Sequence, residues 1–270
     1  MENINIRISS SKLRKITSCM YQYKLYYIDG WRRIQDKAIY RFGHICHETV
    51  TRSIAEKFKH SPSKLFASKW SKEVKKDLHY NNTDSFDKFM NLGKTLCAKI
   101  PEALQGITRI SNIEDKFEVG LSGIQLNGYV DFICDYKDKR TLLDIKTLKS
   151  TSPYEVKMSD QLTLYSMAKQ VPNVGIIAMY KVKKDPRIEI ITGRKTKQDY
   201  MDLQYKIKNA VSDIARKYYP KANNRLTCNM CDYVPICFGT KKEVKAKLRQ
   251  IDTRQHTKKI EQKRKKLLFW

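Results

Sequence analysis

The strongest constraint on how this chain folds lies in its middle, where three strand-like stretches are followed by a helix, two more strands and another helix. Residues 113–119, 124–135 and 141–147 carry the β-branched and alternating residues of strands. Ser152-Pro153-Tyr154-Glu155 then offers an N-cap, a proline at the first helical position and a capping-box glutamate, which predicts a helix to about Gln170. Residues 174–182 and 187–192 read as two strands joined through Lys184-Asp185-Pro186, and a helix is expected over 196–218. Ahead of this block, residues 9–110 have a mainly helical pattern, interrupted at Ser61-Pro62-Ser63 and at Asn81-Asn82-Thr83-Asp84. No internal repeat is visible. The expected organisation is one domain over 1–240, with a helical part at 9–110, a core at 111–220 and a cysteine cluster at 221–240. A tail over 241–270 follows, with twelve Lys or Arg against three acids, and reads as a basic helix or a partly disordered segment.

Across the chain, 54 Lys and Arg face 28 Asp and Glu, a formal charge of +26. Such an excess favours a polyanionic partner through counterion release and steering, with nucleic acid first in line. A membrane surface fits less well, because no strongly apolar amphipathic segment accompanies the charge. No run of about 18 apolar residues occurs, and the start Met1-Glu2-Asn3-Ile4 lacks the basic and apolar regions of a secretory signal. The expectation is a soluble protein of the reducing cytoplasm, or of a host's cytoplasm if the source is viral. In that setting seven cysteines read as metal ligands plus buried thiols rather than as disulfides.

The carboxylates of the strand block suggest chemistry. In Gly128-Tyr129-Val130-Asp131-Phe132, alternation sends Val130 and Phe132 to one face and Asp131 to the other; Asp144 and Lys146 of Leu143-Asp144-Ile145-Lys146 likewise share a face. A two-residue turn at Lys137-Asp138 would pair Tyr136 with Lys139 and, counting back, Asp131 with Asp144. Like charges roughly 4.5–5.5 Å apart at Cβ destabilise a hairpin unless something neutralises them, and a divalent cation would do so. Carboxylate oxygens suit Mg²⁺ or Mn²⁺, and Lys146 could then orient or deprotonate a water or stabilise charge developing on a phosphate. Without such a cation the same residues are ordinary charges on an exposed hairpin. Gln161 and Tyr165, four apart on the capped helix, share one face.

Cys228-Asn229-Met230-Cys231 followed by Cys237 forms C-x2-C-x5-C in a turn-rich loop, and Cys19 supplies a fourth thiol far earlier in the chain. Four thiolates suit zinc or an iron-sulfur cluster, and spacing does not separate the two. Cys46, Cys97 and Cys134 lie in apolar patterns and read as core. Basic and aromatic residues interleave at Tyr21-Gln22-Tyr23-Lys24-Leu25-Tyr26-Tyr27 and at Trp31-Arg32-Arg33, which makes Lys24, Arg32 and Arg33 nucleic-acid-binding candidates, although packing accounts for most of the tyrosines. The run Lys263-Arg264-Lys265-Lys266 could add non-specific affinity or bind a protein.

Taken in order, Ser9-Ser10-Ser11-Lys12-Leu13 with Cys19, Gly43-His44-Ile45-Cys46-His47-Glu48, Gly128-Tyr129-Val130-Asp131, Asp144-Ile145-Lys146-Thr147, Gln161-Leu162-Thr163-Leu164-Tyr165 and the late cysteines resemble the RecB-like branch of the PD-(D/E)XK nucleases. That branch includes AddB-type helicase-nucleases, CRISPR adaptation nucleases and phage recombination exonucleases. The resemblance implies an α/β fold with a restriction-endonuclease-like core, a mixed central sheet flanked by helices, and a helical N-terminal part. It implies a Mg²⁺- or Mn²⁺-dependent deoxyribonuclease, an exonuclease acting on single strands or DNA ends in recombination, repair or replication. His47, Asp131, Asp144 and the Ile145 main-chain carbonyl would bind metal, and Lys146 would be catalytic. Gln161 and Tyr165 would support the site, with Tyr165 also on the DNA. Cys19, Cys228, Cys231 and Cys237 would hold a 4Fe-4S cluster, with zinc as the alternative. His44 competes with His47, and Glu114 is a further acidic candidate. The family often has Glu where this chain has Asp144, a shorter side chain that should still reach the metal. No helicase motif is present, so unwinding would need a helicase or recombination partner. The rival readings are a non-catalytic nucleic-acid-binding protein and a zinc-stapled RNA-binding factor.

Overall fold

The computed structural model describes residues 7–253, apart from 122 and 183. In chain order it begins with β1 (Arg7–Ser9), α1 (Ser10–Ser18), α2 (Met20–Tyr23), β2 (Trp31–Arg33), β3 (Asp36–Lys37), α3 (Ala38–Ala55), α4 (Pro62–Ser71), β4 (Leu78–His79), α5 (Phe86–Ala98) and α6 (Ile100–Ala103). There follow β5 (Ile107–Leu121), β6 (Ile124–Tyr136), β7 (Lys139–Leu148), α7 (Glu155–Met158), α8 (Asp160–Lys169), β8 (Asn173–Tyr180), β9 (Arg187–Arg194) and α9 (Lys197–Ala215). The described chain closes with α10 (Arg225–Asn229), α11 (Val234–Phe238), α12 (Lys241–Lys247) and β10 (Leu248–Gln250). Two compact units result: Asp36–Tyr205 with the residues up to Ser10, and Ser11–Gln35 with the residues from Lys206 onward.

The first unit is a mixed sheet flanked by helices, as the sequence leads one to expect. Its strand order is β1-β6-β7-β8-β9, with β5 along the other edge of β6. The pairs β1·β6 and β7·β8 are parallel, and β5·β6, β6·β7 and β8·β9 are antiparallel. The turn between β6 and β7 is Lys137-Asp138, both left-handed at φ 50° and 58°, as a type I′ hairpin requires. It sets the expected register, from Tyr136 against Lys139 to Phe132 against Leu143. Beyond Phe132 the strands part: the edge of β6 that faced β7 pairs with β1 at Gln125–Asn127, while β7 continues beside β8 to Leu148. The stretch of that edge between its two neighbours is Gly128-Tyr129-Val130-Asp131.

One face of the sheet carries α3 to α6. Phe132, Cys134, Leu143, Ile145, Ile177 and Met179 pack there against Phe42, Ile45, Cys46, Val50, Phe66, Trp70 and Phe89. Cys46, Cys97 and Cys134 are all fully buried, in keeping with the core role expected of them. The helices form for local reasons: Pro62 opens α4, and the Ser85 hydroxyl caps α5 by accepting from Lys88 N. Gly93 allows α4 and α5 to close, since a Cβ there would lie 2.0 Å from the Phe66 ring. Removing a buried ring such as Trp70 or Phe66 costs about 3–5 kcal/mol.

The other face receives α7 and α8, and here the single helix expected over 152–170 is corrected. The Ser152 hydroxyl accepts from Tyr154 N in a local turn, and the helix begins only at Glu155. It stops at Ser159, whose side chain accepts from Leu162 N and starts α8 afresh. The ammonium of Lys195, 2% exposed, donates to the carbonyls of Lys157 and Ser159 at 2.8 and 3.2 Å, which satisfies the backbone at the break. Gln170, left-handed at φ 56°, ends α8. The helix expected over 196–218 is shorter, Lys197–Ala215. The N-terminal part contains, besides helices, the short strands β1 to β4, which the sequence does not announce.

In the second unit β2 and β10 pair antiparallel. Leu25, Tyr233 and Leu248 form the centre of a small core, joined by Tyr21, Tyr26, Trp31, Cys231, Ile236 and Val244. Gly30 is left-handed at φ 77°, and a Cβ there would meet the Ile251 carbonyl at 2.1 Å. The basic tail opens as α12, with a Thr240/Glu243 capping box. Lys263-Arg264-Lys265-Lys266 lies outside the described residues. Among the described residues no helix is long and apolar enough to cross a membrane.

Candidate active site

Where β6 and β7 part, a side chain takes over from the backbone ladder. Asp131 is the first β6 residue past the last pair, and its Oδ2 accepts the Ile145 N–H at 2.8 Å. The same oxygen lies 3.0 Å from His47 Nε2. His47 comes from α3, and Gly43 one turn earlier explains how it arrives: a Cβ at 43 would sit 2.8 Å from Thr147 Oγ1. Glycine therefore lets α3 approach β7 closely enough for the imidazole to reach the carboxylate. His44, the competing candidate, pairs instead with Glu48 Oε1 at 2.9 Å.

Asp144 follows on β7 and is 3% exposed. Lys146 Nζ lies 2.6 Å from its Oδ2 as a close ion pair. The ammonium donates to Gln161 Oε1 at 2.7 Å. Gln161 Nε2 in turn donates to Asp144 Oδ1 at 3.1 Å and to the Tyr165 hydroxyl at 2.8 Å, and Tyr165 donates to Ser10 Oγ at 3.3 Å. The shared helix face of Gln161 and Tyr165 is thus turned toward Asp144 and Lys146. Gly128 leaves room for this packing, since a Cβ there would press on Phe117 at 2.8 Å and touch Tyr165 at 3.6 Å. Glu114 falls between the pairs Ile113–Phe132 and Asp115–Val130, opposite Asp131, with a left-handed backbone at φ 50°.

The electrostatics follow from burial and crowding. Burial pushes the Asp144 carboxyl up to about 6; Lys146 opposes this and Asp131 adds to it. For His47, burial lowers the pKa, but the hydrogen bond and charge of Asp131, with Asp144 and Glu114 behind them, raise it on balance. Burial takes Tyr165 up to about 12, with Asp144 contributing. Two carboxylates and an imidazole converge on one fork of the sheet, and the Lys146 ammonium sits beside the buried Oδ2 of Asp144. Hard oxygens plus imidazole suit a divalent cation of the Mg²⁺ or Mn²⁺ kind. Among the described residues, no three His, Cys, Asp or Glu side chains are drawn together as closely as a bound ion would hold them. At the fork, Asp131 is engaged with Ile145 and His47, and Asp144 with Lys146 and Gln161.

In the second unit Cys19, Cys228, Cys231 and Cys237 line one cavity, with Tyr21, Leu25, Tyr233 and Phe238 among its walls. None is in a disulfide. Polar hydrogens point at the sulfurs: Ala222 N donates to Cys19 Sγ at 3.4 Å, and Gln22 Nε2 and Tyr233 N to Cys231 Sγ at 3.5 and 3.4 Å. Burial raises the Cys237 thiol, Lys221 lowers it, and the thiols of Cys231, Cys19 and Cys228 raise it further. Four thiols with N–H donors in a largely apolar cavity are a chemically suitable set for a thiolate-held metal.

The basic candidates of the same unit are bonded within it. Lys24 pairs with Asp29 at 2.6 Å. Arg32 donates to the carbonyls of Tyr26 and Trp31 and lies over the Tyr26 ring. Arg33 pairs with Asp232 at 3.1 Å. Ser10 and Thr147 belong to motifs legible in the sequence without a role of their own, and Lys195 carries no local signal.

A family model of the PD-(D/E)XK nuclease superfamily matches residues 7–238. No curated protein matches the sequence. Among solved structures, the chain is similar to a candidate exonuclease from Eubacterium rectale, at 9% identity and a TM-score of 0.49, covering 83% of this chain and 88% of that one. It is also similar to LHK-Exo in complex with dAMP, at 9% identity and a TM-score of 0.31, covering 64% of this chain and 87% of that one.

Proposed function

The chain belongs to the PD-(D/E)XK nuclease superfamily, and from that membership we propose that it is a Mg²⁺- or Mn²⁺-dependent deoxyribonuclease of the RecB-like branch, an exonuclease acting on single-stranded DNA or DNA ends in recombination, repair or replication. The observation that carries this reading is the convergence of Asp131, Asp144, Lys146 and His47 at the parting of two strands, with distances of 2.6 Å from Lys146 to Asp144 and 3.0 Å from His47 to Asp131. Asp131, Asp144, His47 and the Ile145 carbonyl would hold the cation. When bound, a divalent ion there neutralises phosphate charge and makes water more acidic. Lys146 holds the attacking water or stabilises the charge that develops on the phosphate. Gln161 fixes both Lys146 and Asp144, and Tyr165, buried against Phe117, fixes Gln161 through its hydroxyl. The excess of positive charge supplies affinity for the polyanion, with Lys24, Arg32 and Arg33 contributing, and unwinding of a duplex falls to a helicase or recombination partner. The test is digestion of end-labelled DNA with Mg²⁺ or Mn²⁺. Lys146→Ala is expected to lower turnover about a hundredfold or more; cleavage equal to that of the wild type would remove the proposed site.

We propose further that Cys19, Cys228, Cys231 and Cys237 hold a 4Fe-4S cluster. The protein purified without oxygen is expected to contain iron and sulfide, and Cys228→Ser to lose the iron and melt at lower temperature. A colourless protein carrying zinc and no iron would assign the four thiols to zinc instead.

A further inference from the structure

The face of the sheet that carries α3 to α6 runs on beyond those helices at the end where β7 and β8 begin. Cys134, Leu143 and Ile177 belong to the core under the helices, with Ile190 packed against it. In steps of two from these residues, the same face presents Tyr136 on β6, Thr141 and Lys139 on β7, Asn173 on β8 and Arg194 on β9. The cross-strand pairs Tyr136–Lys139 and Asn173–Arg194 hold them in line. Together with Lys137 of the turn they line an open cavity of about 510 Å³, and every residue that lines it belongs to a strand or to that turn.

The groove is cationic. Lys137, Lys139 and Arg194 are exposed, and no acid is among the described residues that line the cavity. Asp135, next to Tyr136 on β6, alternates to the other face and lies 3.6 Å from Arg109. Arg194 is held in place: its Nη1 donates to Asn173 Oδ1 at 3.2 Å, and Asn173 Nδ2 donates to the Arg140 carbonyl at 3.1 Å. The strands β7 and β9, which carry Lys139 and Arg194, lie about 10 Å apart, so the groove meets several backbone charges of a polyanion at once. Thr141 and Asp144 are three residues apart on β7 and face opposite sides of the sheet. The groove therefore lies on the side away from Gln161 and Lys146.

We infer that this groove is a second nucleic-acid site, which takes backbone phosphates of a stretch of strand remote from the cleaved bond. The choice of nucleic acid as the polyanion rests on the nuclease reading and on the formal charge of +26, and the residues of the groove are separate from those that do the chemistry.

The test is binding of a long fluorescent single strand to the full chain in chelator, across a salt series. Lys139→Gln/Arg194→Gln is expected to weaken binding about tenfold and to lower the slope of log affinity against log salt by about 1.4, or about 0.7 for each lost phosphate contact. Lys64→Gln/Lys94→Gln, which removes the same charge from exposed positions of α4 and α5, should leave the slope near the wild-type value. Equal losses in the two variants, or none in the first, overturn the site. If the first variant melts below the wild type, Lys139→Gln alone decides, with an expected fall of about 0.7 in slope and an unchanged slope as the overturning result. Tripolyphosphate should displace the strand only at high concentration; displacement at micromolar concentration would assign the groove to a small phosphate ligand and overturn the nucleic-acid site. Cleavage with Mg²⁺ is read separately, and on an oligonucleotide too short to reach the groove both variants should match the wild type. A chain that binds as expected and cuts nothing overturns the nuclease reading alone, and one that cuts while both variants bind alike overturns the groove alone.

Discussion

Asp131→Ala should end cleavage and weaken the fold together, whereas Asp131→Asn should end cleavage and leave the fold nearly intact. The carboxylate has two jobs that are separable by chemistry. Its charge is the proposed hold on the cation, and losing several kcal/mol of transition-state stabilisation corresponds to at least about a thousandfold in rate. Its Oδ2 is also the acceptor for the Ile145 N–H at 2.8 Å, and Asp131 is 8% exposed, so alanine leaves a buried donor unsatisfied at a cost of about 1–3 kcal/mol. Asparagine keeps a carbonyl oxygen for that donor but carries no charge. Digestion of end-labelled DNA reads the first effect, and urea denaturation, compared at equal m-value, reads the second. If alanine and asparagine destabilise equally, the backbone role assigned to Asp131 is wrong.

Asp144→Asn is expected to do the reverse for stability: to abolish cleavage and, in chelator at neutral pH, to stabilise the protein. Burial raises the Asp144 carboxyl to about 6 from an ordinary 3.8, so the folded state prefers the neutral acid. A folded pKa above the unfolded one means that the favourable contribution is full below about pH 4 and is lost as the pH rises through about 6. Above that range the ionised carboxylate costs about 3 kcal/mol, two pKa units at 1.36 kcal/mol each. Asparagine avoids that cost but gives up about 1 kcal/mol of the bond from Gln161, leaving a gain of about 2 kcal/mol. The gain should shrink toward pH 4, and added Mg²⁺ should stabilise the wild type while leaving the variant unmoved. Thermal melts of the two proteins across pH, with and without chelator, measure it; a variant less stable than the wild type at neutral pH in chelator would refute the account.

Much of this was readable from residue order because it depends on local rules. Alternation in the two strands and the two-residue turn at Lys137-Asp138 were enough to set the register as far as Phe132 against Leu143. That is one step short of the expected Asp131–Asp144 pair, where the strands have parted and Asp131 accepts the Ile145 N–H instead. The four-residue spacing of Gln161 and Tyr165 was enough to put both on one helix face. The split at Ser159 was not readable, because Lys195, far along the chain, satisfies the carbonyls there. Nor were β1 to β4 and β10, two- or three-residue pairings whose partners are distant and whose sequences carry no strand period. His47 sits between these cases. Nothing in its helix distinguishes it from His44, and what separates them is the contact of Gly43 with Thr147 and the reach of the next turn to Asp131.

The tight turn at Lys137-Asp138 governs more than the hairpin it closes. Because successive side chains of a strand point to opposite faces, one residue more or fewer at that tip would rotate the whole of β7 by half a period relative to β6. Leu143 and Ile145 would then face α8, and Asp144 and Lys146 would be pressed into the aromatic packing under α3. The two-residue loop thus keeps the faces of β7 in phase with β6, and a one-residue change at this tip is expected to be tolerated only where a longer loop or a bulge absorbs it without a slip of the strand.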